Sequence, residues 1–339
     1  MVRHSHAALP ATLCNVGAMG LFQRLRPAAV REAAERIRPH VVRTPLIRSE
    51  RLGAVAGGDV YLKLENRQTT GSFKLRGALN ALAALTPEQR RAGIVASSAG
   101  NHGLGVAYAA RALGVAARIY VPRNAPKIKK SGIRALGAEL DDAQPDYDAA
   151  MAAARVDGRR HGREYINPCL GDPLLYGQGT VALEILGELQ SCRALVVNVG
   201  GGGLLGGCAT FVRGERPDVR IYGAQSVNTA AMAKSMAAGR VVEIESVPTL
   251  ADGLAGQIDD DALDLGRHGL DGIATVTEEE IAEAIAWLFR EHGEKVEGAG
   301  ACGVAAILSG KLKPETPCAV VVSGGNIDEE RWKSLTSDV

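Results

Sequence analysis

The sequence predicts a two-lobed α/β protein in which twisted, parallel-type sheets are covered by helices. From about residue 60 onward, short β-rich runs alternate with longer helical patterns. Many of the β-rich runs are continuously apolar, which is typical of parallel strands buried on both faces. The chain of 339 residues also exceeds the size at which one hydrophobic core usually stops growing. We therefore expect a cleft between two lobes.

Six segments have the composition of buried strands and four longer segments have helical periodicity. The predicted strands are Val60–Leu64, Ile94–Ser97, Arg118–Val121, Ala194–Asn198, Ile221–Ala224 and Cys318–Val322. The predicted helices are Phe73–Leu85, Val106–Leu113 ending at Gly114, Ile128–Leu136 ending at Gly137, and Glu278–Arg290. Asp141, Asp142, Asp146 and Asp148 indicate a solvated acidic loop rather than a metal site.

Proline-containing polar segments divide the chain into two domains. Thr86-Pro87-Glu88 and the stretch 167–173 bound a smaller inserted domain over residues 87–171. Residues 1–86 and 172–339 then form the large domain. The first 25 residues lack a signal peptide pattern and are expected to be a disordered leader. The chain ends soon after its last motif, so we expect no C-terminal regulatory domain.

Composition favours a cytoplasmic enzyme that acts on small molecules. Charged residues make up 23% of the chain with a formal net charge of +1, so nothing directs it to nucleic acid or anionic lipid. No run reaches the roughly 18 to 20 apolar residues of a membrane-spanning helix. The six cysteines contain no C-x-x-C pair, which is typical of free thiols in a reducing compartment.

A lysine lies where polar turn residues lead directly into a predicted helix. Lys74 falls in the first turn of that helix, where the macrodipole disfavours an ammonium group and favours the neutral amine that attacks carbonyls. Most single lysines on helices simply face solvent. Lys74 alone therefore does not establish a site.

Two segments are suited to bind anions at the start of helices. Ser97–Gly103 follows an apolar strand and offers N–H groups and polar side chains to a carboxylate, although a simple capping turn has the same composition. The four glycines Gly200 to Gly203 let the backbone approach a phosphate closely. This loop lacks the Lys-Ser/Thr of a P-loop, and alone it leaves nucleotide binding open.

Ser323-Gly324-Gly325-Asn326 follows the last predicted strand and adds a hydroxyl group at a strand end. The four segments together supply an amine, a carboxylate cradle, a phosphate cradle and a hydroxyl. These are the parts needed to hold pyridoxal phosphate (PLP) and an amino acid.

The motifs resemble the fold type II PLP enzymes, which have a tryptophan synthase β-like fold, and specifically the threonine/serine ammonia-lyase and serine racemase branch. The resemblance extends from about Val42 to Asp328. It is carried by Gly71-Ser72-Phe73-Lys74-Leu75-Arg76-Gly77, Ser98-Ala99-Gly100-Asn101-His102, the tetraglycine loop, Ala251-Asp252-Gly253-Leu254-Ala255, Glu297-Gly298-Ala299-Gly300 and Ser323-Gly324-Gly325-Asn326.

The resemblance implies a role for each site residue. Lys74 would form the Schiff base with PLP and then act as the base at Cα. The other implied PLP contacts are Phe73 at the ring, Asn101 at the 3-hydroxyl, Gly200, Gly201, Gly202, Gly203 and Leu204 at the phosphate, and Ser323 at the pyridine nitrogen. Ser98, Asn101 and His102 would surround the substrate carboxylate.

The implied pyridine contact favours elimination. A serine does not hold the pyridine nitrogen protonated, which disfavours a long-lived carbanion and favours prompt loss of a β-leaving group. The cofactor phosphate would protonate the departing hydroxyl, and the product would be a 2-oxo acid with ammonia.

Departures from the relatives narrow the choice. Serine racemases carry a second serine where this chain has Ala99, which disfavours racemisation. Gln225 and Ala231 stand where relatives often have a Glu and an Asp that bind Mg²⁺ or Ca²⁺, so we expect no metal. The motifs around Lys74 and Asn101 fit neither threonine synthases nor sulfhydrylases.

The leading hypothesis is a PLP-dependent ammonia-lyase that acts on L-threonine or L-serine. Alternative substrates are a 3-hydroxyaspartate, a phenylserine or an ectoine-derived amino acid, and serine racemisation remains an alternative reaction. A silent PLP-binding protein and a nucleotide binder are the non-enzymatic alternatives. Family habit implies a homodimer or homotetramer, with no membrane or nucleic-acid partner.

Overall fold

The structure is a computed structural model that describes residues 19–125, 127–245 and 247–337. The strands are β1 Leu46–Arg48, β2 Val60–Leu64, β3 Ile94–Ser97, β4 Ala117–Pro122, β5 Glu139–Gln144, β6 Glu164–Tyr165, β7 Ala194–Asn198, β8 Arg220–Ser226, β9 Gly272–Val276 and β10 Cys318–Val322. The helices are α1 Leu21–Arg24, α2 Pro27–Ile37, α3 Glu50–Ala56, α4 Lys74–Ala83, α5 Pro87–Ala92, α6 Asn101–Leu113, α7 Lys127–Ala135, α8 Tyr147–His161, α9 Asp172–Glu188, α10 Gly203–Glu215, α11 Ala231–Ala238, α12 Asp260–Gly269, α13 Glu278–His292, α14 Gly298–Leu308 and α15 Glu329–Thr336.

The larger sheet has six strands in the order β1-β2-β10-β7-β8-β9. Only β1 is antiparallel to its neighbour within this sheet. The central strands β7 and β10 are buried at every residue, because helices pack on both faces of the sheet. Burial on both faces explains why these strands are continuously apolar in sequence.

The smaller sheet has four parallel strands in the order β5-β4-β3-β6, and all of them fall between residues 94 and 165. Each sheet with its adjoining helices is called a body, the larger one around the six-stranded sheet and the smaller one around the four-stranded sheet. Helix α6 follows β3 and packs against α4 of the larger body, where the two backbones come close together. A Cβ at Gly105 would lie 3.2 Å from the backbone nitrogen of Leu75. The glycine therefore allows α6, which follows the smaller sheet, to approach the helix that begins with Lys74.

The predicted fold class is confirmed, and three local expectations are corrected. Asp141 and Asp142 belong to strand β5, not to a loop, because an edge strand needs little apolar character. Helix α6 begins at Asn101 and not at Val106. The expected disordered leader is wrong for residues 21–24, which form α1 with a buried Leu21; residues 1–18 lie outside the described residues.

Within the described part of the chain, no helix is both long enough and apolar enough to cross a membrane.

Candidate active site

Three of the four singled-out segments lie at one edge of the larger sheet. The Lys74 segment follows β2, the Ser323 segment follows β10, and the tetraglycine loop follows β7. Strands β2, β10 and β7 are parallel neighbours, so their carboxyl ends meet at the same edge. This edge is where open α/β sheets bind ligands.

Backbone hydrogen bonds hold the Lys74 and Ser323 segments together. The N–H of Phe73 donates to the carbonyl oxygen of Ser323 at 3.1 Å, and the N–H of Gly325 donates to the carbonyl oxygen of Gly71 at 2.9 Å. Helix α4 begins at the next residue, Lys74. These bonds therefore hold the backbone just before Lys74 against the end of β10.

The side chain of Lys74 points across the site. Its Nζ donates to the carbonyl oxygen of Pro168 at 2.7 Å and lies 5.3 Å from the centroid of the Phe73 ring. The residue after Pro168, Cys169, packs against the tetraglycine loop: a Cβ at Gly201 would lie 2.5 Å from its Sγ. Residues 168 and 169 thus bridge the lysine amine and the loop.

The tetraglycine loop presents unpaired N–H groups at the beginning of α10. Gly202 is the N-cap and has a φ of +90°, a conformation that favours glycine. Among the described residues, no acceptor is found for the backbone N–H groups from Gly201 to Leu204. A close approach with several free donors is what a phosphate group needs.

The segment from Ser98 to His102 forms the N-terminus of α6. The Oγ of Ser98 accepts a hydrogen bond from the N–H of Gly100 at 3.1 Å, while the first N–H groups of the helix point away from any intrahelical acceptor. A Cβ at Gly103 would lie 2.1 Å from the carbonyl oxygen of Ser98, so glycine is needed for this turn. The geometry suits a carboxylate.

The imidazole of His102 is buried and neutral. Its Nε2 lies 3.0 Å from the carbonyl oxygen of Ile166 and must donate to it, which leaves Nδ1 as an acceptor without a partner among the described residues. Burial, followed by the charge of Lys74, lowers the pKa of His102 to about 3. A neutral ring held in this way offers no donor to a carboxylate, so the backbone N–H of His102 is its available donor.

Ser323 lies at the end of β10 with its hydroxyl group inside the protein. Its Oγ accepts from Nδ2 of Asn198 at 3.2 Å and donates to the carbonyl oxygen of Ala299 at 3.3 Å. Asn198 lies at the end of β7, where it also bonds to the backbone of Gly300 and Val321. Residues of β7 and α14 therefore position this hydroxyl, which carries no charge.

Sequence reasoning missed two polar side chains that contact Asn101. The Nδ2 of Asn101 donates to Oε1 of Glu297 at 2.6 Å, and its Oδ1 accepts from Nδ2 of Asn326 at 2.7 Å. Both residues occur in the motifs that carry the resemblance, which was the available signal. No spacing in the sequence indicates that they meet Asn101.

A buried ionic network fixes the helix that begins with Lys74. Arg76 pairs with Glu65 through Nε and Nη2 at 2.8 Å and with Glu184 through Nη1 at 2.7 Å. Lys63 pairs with Glu184 at 2.6 Å, so two cations balance two anions. Because these residues come from β2, α4, α9 and the turn after β2, the network holds α4 in place from several sides.

The amide side chain of Gln225, near the end of β8, holds the segment that follows this strand. Gln225 donates from Nε2 to the carbonyl oxygen of Thr229 at 3.2 Å and accepts at Oε1 from the N–H of Ala233 at 3.0 Å. In the described part of the chain, no group of three or more His, Cys, Asp or Glu side chains is placed to hold a metal ion.

The residues at this edge fit PLP. The unpaired N–H groups of the tetraglycine loop suit its phosphate. The amine of Lys74 bonds to Pro168, and the next residue, Cys169, packs on this loop. The amine also lies near the aromatic ring of Phe73. The N-terminus of α6 offers a second anion site on the facing body. Fold and site together are typical of an α/β enzyme that holds a phosphate-bearing cofactor beside an amine.

Comparison with known proteins identifies the family. The model of the pyridoxal-phosphate dependent enzymes matches residues 37–324, so the chain belongs to this family and is a PLP-dependent enzyme. It is 42% identical to the L-threonine ammonia-lyase of Thermotoga maritima over 88% of this chain and 75% of that protein. It is 38% identical to a catabolic L-threonine dehydratase of Staphylococcus aureus over 89% of both chains.

Solved structures agree with this assignment. Maize serine racemase superposes with a TM-score of 0.87 at 32% identity, over 93% of this chain and 98% of that chain. The processed form of threonine deaminase isoform 2 from Solanum lycopersicum superposes with a TM-score of 0.85 at 31% identity, over 91% of this chain and 87% of that chain. The predicted family branch and cofactor are thereby confirmed.

Proposed function

We propose that the protein is an ammonia-lyase that converts L-threonine or L-serine to a 2-oxo acid and ammonia. The observation that carries this proposal is the position of Lys74, whose Nζ lies at the carbonyl oxygen of Pro168 beside the tetraglycine loop. The names of the relatives support it, because several are L-threonine ammonia-lyases or dehydratases.

Each site residue has a proposed task in holding the cofactor. The N–H groups of the tetraglycine loop bind the phosphate, Asn101 bonds to the 3-hydroxyl, Phe73 packs at the ring and Ser323 contacts the pyridine nitrogen. The full proposed set for the cofactor is Lys74, Phe73, Asn101, Gly200, Gly201, Gly202, Gly203, Leu204 and Ser323. Ser98, Asn101 and the backbone N–H of His102 bind the carboxylate of the substrate.

When bound, PLP withdraws electrons from Cα of the attached amino acid and makes its proton acidic. Lys74 takes that proton on Nζ, since it is the amine that begins α4 at the site. The N-terminus of α6 orients the carboxylate, and the neutral Ser323 leaves the ring a weak electron sink. This arrangement favours loss of the β-hydroxyl over return of the Cα proton from Lys74. The hydroxyl would leave as water with a proton that the cofactor phosphate would supply.

Other β-hydroxy amino acids remain alternatives for the same elimination, namely a 3-hydroxyaspartate, a phenylserine or an ectoine-derived amino acid. Serine racemisation is a second candidate reaction, since a serine racemase is among the similar structures. Ala99 disfavours it, because its methyl side chain has no proton to return to the second face of Cα.

A substrate panel tests the proposed function. The protein with added PLP is incubated with L-threonine, L-serine, D-serine and threo-3-hydroxyaspartate, and 2-oxo acid and ammonia are measured together with the chirality of the remaining serine. We expect both products in equal amounts from L-threonine or L-serine, without formation of D-serine. Bound PLP with no 2-oxo acid from any of the four would contradict the substrate assignment.

Replacing Gly202 with alanine is expected to weaken PLP binding about tenfold, because the φ of +90° disfavours a side chain by roughly 1–2 kcal/mol and the loop must reorient its N–H groups. Gly137 is a matched control, because its φ is +86° and a Cβ at this position would meet nothing within 4 Å. Gly137→Ala should retain PLP affinity, measured by absorption titration. Equal losses in both variants would argue against a phosphate role for the loop.

We also propose a homodimer or homotetramer in the cytoplasm, with residues 87–171 as the small domain. The four-stranded sheet falls inside that range. The described cysteines are free thiols, which fits a reducing compartment.

A further inference from the structure

Asn101 is held from two sides by residues of the larger body. Its Nδ2 donates to Oε1 of Glu297, which precedes α14, and its Oδ1 accepts from Nδ2 of Asn326, which follows β10. The Nδ2 of Asn326 also donates to the carbonyl oxygen of Thr70 at 2.8 Å. Because Asn101 begins α6, this chain of hydrogen bonds joins the two bodies at the site.

The direction of every amide in this chain is fixed by a backbone group. The carbonyl oxygen of Thr70 can only accept, so Asn326 must present its amide nitrogen there. The second hydrogen on that nitrogen points to Asn101, which must therefore present its Oδ1 to Asn326. The Nδ2 of Asn101 then faces Glu297 and retains one hydrogen for another oxygen.

Close packing places the carboxyl group of Glu297 at this point. Its side chain is buried, with 6% of the residue exposed. A Cβ at position 324 would lie 2.2 Å from its Oε1, so only Gly324 allows the carboxyl group to pass the backbone there. A hydrogen bond of 2.6 Å to Asn101 is consistent with a charged acceptor.

Several charges face Glu297 from neighbouring elements. Burial, followed by the negative charge of Asp252, raises the pKa of Glu297 to about 7. The hydrogen bond from Asn101 and the positive charges of Lys129 on α7 and Lys74 on α4 oppose this shift. Glu297 therefore gains or loses its proton near neutral pH while it is hydrogen-bonded to Asn101.

We propose that Glu297 is a positioning residue which, as a carboxylate, holds the amide of Asn101 so that its second Nδ2–H reaches the 3-hydroxyl of PLP. The inference rests on the proposed function, which gives Asn101 that contact. Protonation of Glu297 removes the charge assistance from this hydrogen bond, and hydrogen bonds to charged groups are the stronger ones. The environment of the bound cofactor should therefore change as Glu297 titrates.

The test follows the absorption spectrum of bound PLP and its dissociation constant between about pH 5.5 and 8.5. For the wild-type protein, we expect a spectral change with a midpoint near 7. Glu297→Gln retains an acceptor for Asn101 without a titrating charge, so its spectrum should not change over this range. At about pH 8.5, the PLP affinity of this variant should be about five- to tenfold lower than that of the wild type.

Two further variants separate this role from a structural one. Asp252→Asn removes the negative charge that faces Glu297, so the spectral midpoint should move to lower pH. Glu294→Gln is the matched control, because Glu294 is also buried but pairs with Arg67 and Asn66 outside the Asn101 chain. Its midpoint should equal that of the wild type.

An unchanged midpoint in Glu297→Gln or in Asp252→Asn would overturn the inference, because the titrating group would then be another one. A wild-type protein that binds PLP and releases 2-oxo acid without a spectral midpoint would also overturn it, while leaving the proposed function intact. Failure of the wild type to bind PLP or to release 2-oxo acid would instead contradict the proposed function.

Discussion

Replacing Lys74 with alanine is expected to reduce 2-oxo acid formation by more than about 10³-fold, because the variant loses the amine that moves the Cα proton. Its fold should remain intact. The side chain of Lys74 makes one hydrogen bond, to the carbonyl oxygen of Pro168, and this bond contributes little to stability. The measurement is the rate with L-threonine beside the thermal midpoint of unfolding.

Lys313→Ala is the control for this experiment, since Lys313 is exposed and lies far along the chain from the Lys74 segment. It should retain both activity and stability. Substantial activity in Lys74→Ala would contradict the proposed role, and a large loss of stability in this variant would leave the activity loss without a specific cause.

Replacing Arg76 with methionine is expected to destabilise the folded state by about 3–5 kcal/mol, the range for breaking one partner out of a buried ion pair. Arg76 is fully buried and pairs with both Glu65 and Glu184. Without it, Glu65 loses its cationic partner and Glu184 keeps only Lys63. The measurement is the free energy of unfolding from urea denaturation.

A second substitution provides a sharper form of this test. Glu65→Gln in the Arg76→Met background restores charge balance, since Lys63 still pairs with Glu184, and should recover more than about 1 kcal/mol. Arg31→Ala is the control, because its ion pair with Glu215 is largely exposed and should contribute at most about 1 kcal/mol. A change of that small size in Arg76→Met would contradict the account of the network.

The buried strands could be predicted from sequence, and the polar edge strand could not. β2, β3, β7 and β10 have the predicted bounds, because strands covered on both faces are continuously apolar. β5 is partly exposed and has the composition of an acidic loop. Its position is set by pairing with β4, which a local pattern does not report.

Glycines helped the prediction of one part of the site and misled the prediction of another. The tetraglycine loop was recognisable because it stands directly after a buried strand. Gly103 and Gly105 instead hid the beginning of α6, since glycines inside a helix usually weaken it. Here they allow close approach to the backbone of Ser98 and Leu75.

The contacts of Asn101 were beyond sequence reasoning. Glu297 lies 196 positions from Asn101, and Asn326 lies 225 positions away. Both residues stand in motifs that carry the family resemblance, but only the fold shows that they meet Asn101. The neutral, inward-facing ring of His102 is likewise a consequence of tertiary burial.

Every role proposed for the site residues depends on attachment of PLP to Lys74, and borohydride trapping shows which lysine carries the cofactor. Sodium borohydride converts a Schiff base between PLP and a lysine into a stable secondary amine, which peptide mapping by mass spectrometry locates. The modification is expected on the peptide that contains Lys74 and on no peptide that contains Lys63 or Lys129. Modification of another lysine, or of none in a protein saturated with PLP, would show that Lys74 does not form the Schiff base.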